Sequence, residues 1–417
     1  MHAESTPDRL LRPLRQHLTR PQWQNLLALV VAVQVGRTLV LRQLALFFVP
    51  AIDSASCYRR LERILAYEQE RTWKPLSQLW VRAVLRCFAP GRGRLVLLID
   101  WTSHRDQCKS LWVMLPLGGR AVPLCFWLAA PETGGPGSQR QLEDTALREL
   151  KQWLPRRRVV LVGDRGFRGA DRIRLLRELG WQFVLRITAE TKIQRGRGWR
   201  ALGEVPPALG RRWQQAGVRL GKHDPVEVNV VAVQQRLREP KVEKDAQGKP
   251  TGRLLWTTIW FLATDLPLHE DAVAVYGWRM QIEETFRDYK SLLRLEEARV
   301  KQPWERLHAL LWAVMIGLTL DLQRSPDRLQ HPQRLPRISP WVTQAPVRER
   351  PEYRSESATR QGLHQFFVEL VQGVLPFAAD LTAMVEKSRR MQARPQVQAR
   401  RKTGPALRHR GRNPSPA

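Results

Sequence analysis

The sequence predicts a mixed α/β domain set between helical segments, and three observations predict it. The short apolar run Leu95–Ile99 ends in Asp100 and a second run, Val159–Gly163, ends in Asp164; both have the look of buried central strands. Between them, the apolar runs Ser110–Leu117 and Arg120–Ala130 flank Gly118 and Gly119, a two-residue hairpin signal. Helical periodicity then marks Gln139–Trp153 and Ala170–Leu179, the second closed by Gly180, before another strand at Trp181–Ile187. The order strand, strand, strand, helix, strand, helix, strand places a hairpin first and parallel strands after it.

The flanking segments read differently. Residues 1–90 are expected to form a helical N-terminal DNA-binding region, with Leu26, Leu27, Val30, Val31 and Val33, then Leu41, Leu44, Ala45 and Phe48, at helical spacing until Pro50. The next helix, Ser54–Tyr67, carries Arg59, Arg60 and Arg63 opposite Tyr58, Leu61 and Ile64. It fits a recognition helix in a DNA groove or the solvated face of a packing helix, and both readings stand. Residues 189–253 are Gly-, Arg- and Pro-rich and read as a β-rich insertion with a strand at Val226–Gln234 and a polar loop at Glu239–Thr251. A strand at Thr257–Ala263, a long helix from about His269 to Arg294 and an apolar helix at Trp304–Leu322 follow. The central domain therefore spans 91–188 and 254–322. A helical region is expected over 323–393, and a basic tail without any acid, expected to be disordered, over 394–417.

Charge narrows the partner. The 417 residues carry 69 Lys plus Arg against 39 Asp plus Glu, a net charge of +30. That excess disfavours acidic small-molecule enzymes and favours a polyanionic partner, since neutralising phosphates releases their counterions. Cys57, Cys87, Cys108 and Cys125 form no CxxC pair, which disfavours a zinc site or a disulfide framework and fits a reducing cytoplasm. The apolar stretch Gln22–Gly36 falls short of the roughly 20 residues of a membrane span, and Met1–Arg20 lacks the apolar core of a signal peptide. An intracellular protein with no membrane partner is expected.

The third chemical element is the segment Tyr276–Lys290. At about 100° per residue, an ideal helix brings Tyr276, Arg279, Glu283 and Lys290 into one narrow arc beside the apolar stripe Val275, Ile282, Phe286 and Leu293, with Glu284 turned away. An ordinary amphipathic helix with ion pairs shows the same periodicity, but it does not account for a polar group hugging the buried stripe.

The spacing Tyr276, Arg279, Glu283, Lys290 resembles the signature of insertion-sequence transposases of family four (IS-four), in the DDE superfamily. Asp100, followed by Trp101 and Thr102, resembles the family's first carboxylate, and Asp164 in Val162-Gly163-Asp164-Arg165-Gly166-Phe167 resembles the second. The long interval from Asp164 to Glu283 is similar to that of hairpin-forming, cut-and-paste members with a β-strand insertion. The resemblance covers roughly residues 90 to 320. It implies a ribonuclease H-like catalytic core and catalysis by Asp100, Asp164 and Glu283, which would bind two magnesium ions, with manganese as a substitute. It implies DNA contacts by Tyr276, Arg279 and Lys290, and gives Trp260 two readings, a stacking platform for a flipped base or a core residue on its strand. The partners implied are double-stranded DNA, as element terminal inverted repeats and target, and a second copy of the chain when DNA is bound. The location implied is the bacterial cytoplasm, at the nucleoid. A ribonuclease H-like nuclease without strand joining and a non-catalytic DNA-binding regulator are the alternatives.

Overall fold

The computed structural model describes residues 6–48, 53–67, 72–104, 108–129, 136–205, 212–244, 249–292 and 306–323. The strands are β1 (Leu95–His104), β2 (Cys108–Pro116), β3 (Ala121–Ala129), β4 (Val159–Gly163), β5 (Gln182–Ile187), β6 (Lys192–Arg195), β7 (Gly198–Ala201), β8 (Arg212–Leu220), β9 (Val226–Lys244) and β10 (Pro250–Thr264). Among the described residues they pair into one sheet in the order β3-β2-β1-β4-β5-β10-β9-β8-β6-β7. The β1–β2–β3 meander is antiparallel, while β1, β4 and β5 run parallel. Leu95–Ile99 and Val160–Val162 are fully buried, as continuous apolar runs at the centre of such a sheet must be. The hairpin turn falls where predicted, with Gly118 at φ 80° and Gly119 at φ 144°, values that side chains disfavour.

The insertion does not fold as a separate sheet. Phe261–Thr264 of β10 pair antiparallel with Val184–Ile187 of β5, so β6–β10 continue the central sheet. The polar loop expected over Glu239–Thr251 is corrected: β9 runs on to Lys244 and β10 begins at Pro250, with Lys244 paired to Pro250 and Val242 to Leu254. Backbone pairing across this ribbon satisfies the ladder without an apolar face, so hydrophobic alternation does not reveal it.

Helices cover the sheet. They are α1 (Thr6–His17), α2 (Arg20–Gly36), α3 (Leu41–Phe48), α4 (Ser54–Leu65), α5 (Lys74–Phe88), α6 (Pro136–Trp153), α7 (Ala170–Glu178), α8 (Ala272–Gly277), α9 (Met280–Leu292) and α10 (Leu307–Gln323). Helix α2 begins at a Thr19–Gln22 capping box and is buried nearly all round by α3, α4 and α10. Such burial accounts for its apolar composition. Among the described residues no single helix is long and apolar enough to cross a membrane. In α4, Arg60 donates to Asn25 of α2 at 2.7 Å and lies 5.7 Å over the Phe48 ring, a packing role, while Arg59 and Arg63 stay exposed. The predicted helical region beyond Gln323, the basic tail and the Trp304 start of α10 lie outside the described residues.

The helix expected from His269 to Arg294 is also corrected. It breaks into α8 and α9 at Trp278–Arg279, where Trp278, Arg279, Gln281 and Ile282 donate their amides to carbonyls three residues back. Gly277 weakens helix continuity here by about 1 kcal/mol relative to alanine, and the tighter turn swings Arg279 inward, leaving it 7% exposed.

Gly163 is the tightest point of the central sheet. A Cβ there would lie 3.1–3.2 Å from the side chains of Leu185, Phe167 and Ile99, all essentially fully buried. With no neighbour free to yield, Gly163→Ala should lower stability by about 1–3 kcal/mol. Chemical denaturation measures this, and an unchanged midpoint would contradict the packing described.

Candidate active site

Two acids meet because two parallel strands are in register. Ile99 of β1 pairs with Gly163 of β4, so the next residues, Asp100 and Asp164, stand side by side on strands about 4.8 Å apart. Asp100 is held by its neighbour, since the Trp101 amide donates to Asp100 Oδ1 at 2.9 Å. Asp164 opens the short 3-10 turn Arg165–Phe167 that ends β4.

The third acid arrives on α9, which packs across β1, β2 and β3. A polar seam sets its position. Gln281 Oε1 accepts the amides of Leu117 and Gly118 at 2.9 and 3.2 Å, Thr285 Oγ1 accepts that of Ala121 at 2.9 Å, and Asp288 accepts Arg120 Nε at 2.7 Å. These residues lie about one turn apart on one stripe of α9, so the helix is stapled to the β2–β3 hairpin. Glu284 faces away and pairs with Arg287, as its angular position predicts.

Arg279 occupies the centre of the group. Its Nη2 donates to Asp100 Oδ2 at 3.0 Å and to Asp164 Oδ2 at 3.3 Å, and its Nη1 pairs with Glu283 Oε1. Tyr276 donates its hydroxyl to Asp164 Oδ1 at 3.3 Å. Trp260 is buried and sets its ring against Tyr276, with centroids 4.9 Å apart at 74°. The structure thus brings together Asp100, Asp164, Glu283, Arg279 and Tyr276, with Trp260 behind Tyr276. Lys290 lies further along α9. Its charge acts on His104, whose pKa is lowered to about 4, first by burial and then by Lys290. His104 in turn shares a 2.6 Å hydrogen bond with Ser110.

The electrostatics follow from crowding acids under a helix. Burial raises the Asp100 pKa to about 6; Arg279 and the Trp101 amide oppose that rise, and Asp164 and Glu283 add to it. Burial would lower the Arg279 pKa, but Asp100, Tyr276, Asp164 and Glu283 together lift it above its ordinary value. The Tyr276 phenol is pushed up to about 12, chiefly by burial, so it stays protonated at neutral pH. Three hard oxygen donors of like charge suit a divalent cation. Among the described residues no three His, Cys, Asp or Glu side chains are grouped as a metal site; Arg279 carries the positive charge between these acids.

A second layer lay beyond sequence reasoning. Trp101 Nε1 donates to Glu143 Oε1 at 2.7 Å, and buried Arg172 donates to Glu143 Oε2 at 2.6 Å and pairs with Asp144. This network ties α6 and α7 to the residue beside Asp100. Its only sequence trace is one Glu and one Arg on the otherwise apolar faces of two helices, a signal too common to single them out.

Residues 127–320 match the family described as Transposase DDE domain. The matched span holds Asp164, Trp260, Tyr276, Arg279, Glu283 and Lys290, and it begins beyond Asp100. The match covers 194 of the 417 residues and includes two of the three clustered acids, Asp164 and Glu283. No curated protein matches the chain. Among solved structures it is similar to a piggyBac transposase synaptic complex with hairpin DNA, studied by cryo-electron microscopy. The identity is 12% and the TM-score 0.39, over 84% of this chain and 63% of the other. The alignment thus spans less than two thirds of that protein.

The raised Asp100 pKa has a definite sign for stability. A folded-state pKa above the unfolded value contributes stability that is full below about pH 4 and lost as pH rises through about 6. Asp100→Asn removes that loss, so in chelated buffer it should raise stability at pH 7.5, by on the order of 2–3 kcal/mol, and leave it nearly unchanged at pH 4. Melting curves at both values test this; a lower melting temperature at pH 7.5 would overturn it.

Proposed function

We propose that this protein is the transposase of an insertion sequence of the family-four type, which cuts the ends of its element and joins them to target DNA. One observation carries the reading: Asp100, Asp164 and Glu283 converge on a single guanidinium where two parallel strands end in register. The strand order β3-β2-β1-β4-β5, antiparallel then parallel, supports a ribonuclease H-like core for the site, and the DDE-domain match supports the chemistry.

Asp100, Asp164 and Glu283 would hold two divalent ions, magnesium by the hardness of the donors with manganese as a substitute, and these would supply Lewis acidity for phosphoryl transfer. Water attacks the scissile phosphorus first, and the 3′-oxygen leaves as a hydroxyl. That 3′-hydroxyl then attacks a target phosphorus and displaces its 3′-oxygen. Arg279, anchored between the acids, offers its guanidinium to a phosphate oxygen near the cut. The Tyr276 phenol donates a hydrogen bond there, and Lys290 binds a phosphate further along α9. The substrates are duplex DNA bearing the terminal inverted repeats and target duplex, with the protein acting as a homodimer on DNA at the bacterial nucleoid.

Asp164→Ala should reduce magnesium-dependent nicking of cognate ends at least about a hundredfold, a barrier increase of roughly 2.7 kcal/mol. End binding should survive, because it rests on many cationic contacts. Normal nicking by this variant would overturn the site. Nicking by the unaltered protein without joining to target would instead identify a nuclease, and binding without nicking a regulator.

Burial and edge-on packing support a role for Trp260 through Tyr276, not as an exposed platform for a flipped base. Trp260→Ala should therefore lower stability by about 3–5 kcal/mol and slow first-strand nicking and hairpin formation equally, with Trp260→Phe restoring both. A selective loss of hairpin formation at unchanged melting temperature would restore the stacking role.

A further inference from the structure

At the opposite end of the central strands from the acids lies a second cationic surface. The segments 82–94 and 151–158 contain Arg82, Arg86, Arg92, Arg94, Lys151, Arg156, Arg157 and Arg158 and no acid. Arg94 is engaged by Glu270 at 2.8 Å, but Arg82, Arg86, Arg156 and Arg158 are exposed and pair with no carboxylate among the described residues. Arg82 and Arg86 stand one turn apart on α5 at the rim of a cavity of about 520 Å³, floored by Leu85, Trp153 and Leu154. Trp153 is fixed by parallel stacking on Trp127 at 5.7 Å. Arg157 is fixed too. It donates to the carbonyls of Gly93 and Ala89 at 2.9 and 2.7 Å, while its buried Nη2 has no partner among the described residues.

We propose that this cavity and its arginine rim are a second DNA-binding surface, which grips the sugar–phosphate backbone of duplex DNA away from the scissile phosphate. The proposal rests on the DNA-directed function proposed above. Charge complementarity selects the occupant: a run of like charges without acids is costly unless it meets a polyanion, and the partly apolar cavity has room for a sugar–phosphate unit. Position selects the role. The cavity opens where β1 and β4 begin, whereas Asp100 and Asp164 lie where Ile99 and Gly163 end their paired run. Five residues at about 3.3 Å each separate the two by some 17 Å, roughly half a turn of B-DNA. The surface therefore contributes affinity and register, and nothing to bond breaking.

The test is binding of cognate-end duplex across a salt series by the full chain. Arg82→Ala/Arg86→Ala/Arg156→Ala should weaken binding roughly 10- to 100-fold at physiological salt and flatten the slope of log K against log salt by about 2–3. Nicking at saturating DNA should be unchanged. Arg82→Lys/Arg86→Lys/Arg156→Lys should keep the slope, and bound duplex should protect the introduced lysines from acylation. If the unaltered protein binds duplex but the alanine variant shows the same affinity and slope, or the lysines stay reactive in the complex, this surface is not a DNA site and the proposed function still stands. If the unaltered protein binds no duplex DNA, the proposed function itself fails, and this inference with it.

Discussion

Three carboxylates under one helix repel one another, and the burial that makes them chemically useful also makes them costly. Arg279 resolves this conflict by donating to all three. The surrounding structure is arranged to bring it there. The tight turn between α8 and α9 rotates its side chain inward, and the Gln281–Thr285–Asp288 seam fixes α9 on the hairpin. A buried ion pair of this kind adds little net stability, yet removal of the guanidinium itself would leave the acids uncompensated at a cost of about 3–5 kcal/mol. The guanidinium is therefore less a source of stability than a condition for the acids to be adjacent at all.

The sheet supplies the other half of that condition. Register between β1 and β4 is set by continuous apolar runs buried on both faces, where a slip would leave ladder partners unmade. Gly163 permits the strands to close up just before Asp164, and Trp101, held by Glu143, which Arg172 in turn fixes, orients the chain just after Asp100. Each acid thus has a dedicated support, drawn from packing in one case and from a buried hydrogen-bond network in the other.

Much of this was legible in the sequence for physical reasons that differ from element to element. Central strands announce themselves as apolar runs ending in carboxylates, and Gly118–Gly119 announces a hairpin. The cluster of Tyr276, Arg279 and Glu283 was legible through spacing alone, although the ideal-helix geometry behind it was wrong: a break at Trp278–Arg279 leaves the side chains converging by another route. The outer part of the β9–β10 ribbon, after Gln234 and before Thr257, was not legible, because two strands that pair only with each other among the described residues have no buried face to impose alternation. Nor were Gln281, Thr285 and Glu143, whose roles exist only through contacts with segments far away in the chain.

The close approach of α2 and α10 reaches beyond the site. A Cβ at Gly317 would fall 1.8 Å from Gln34 Nε2, so α10 lies directly against α2, hundreds of residues earlier in the chain. The apolar surface of α2 therefore stays uncovered during synthesis until residues 307–323 have left the ribosome. Throughout that interval the nascent N-terminal helices present an open hydrophobic groove. The last described helix is in this sense a lock on the first ones, and a chain cut short before it would leave them sticky even with Asp100, Asp164 and Glu283 in place.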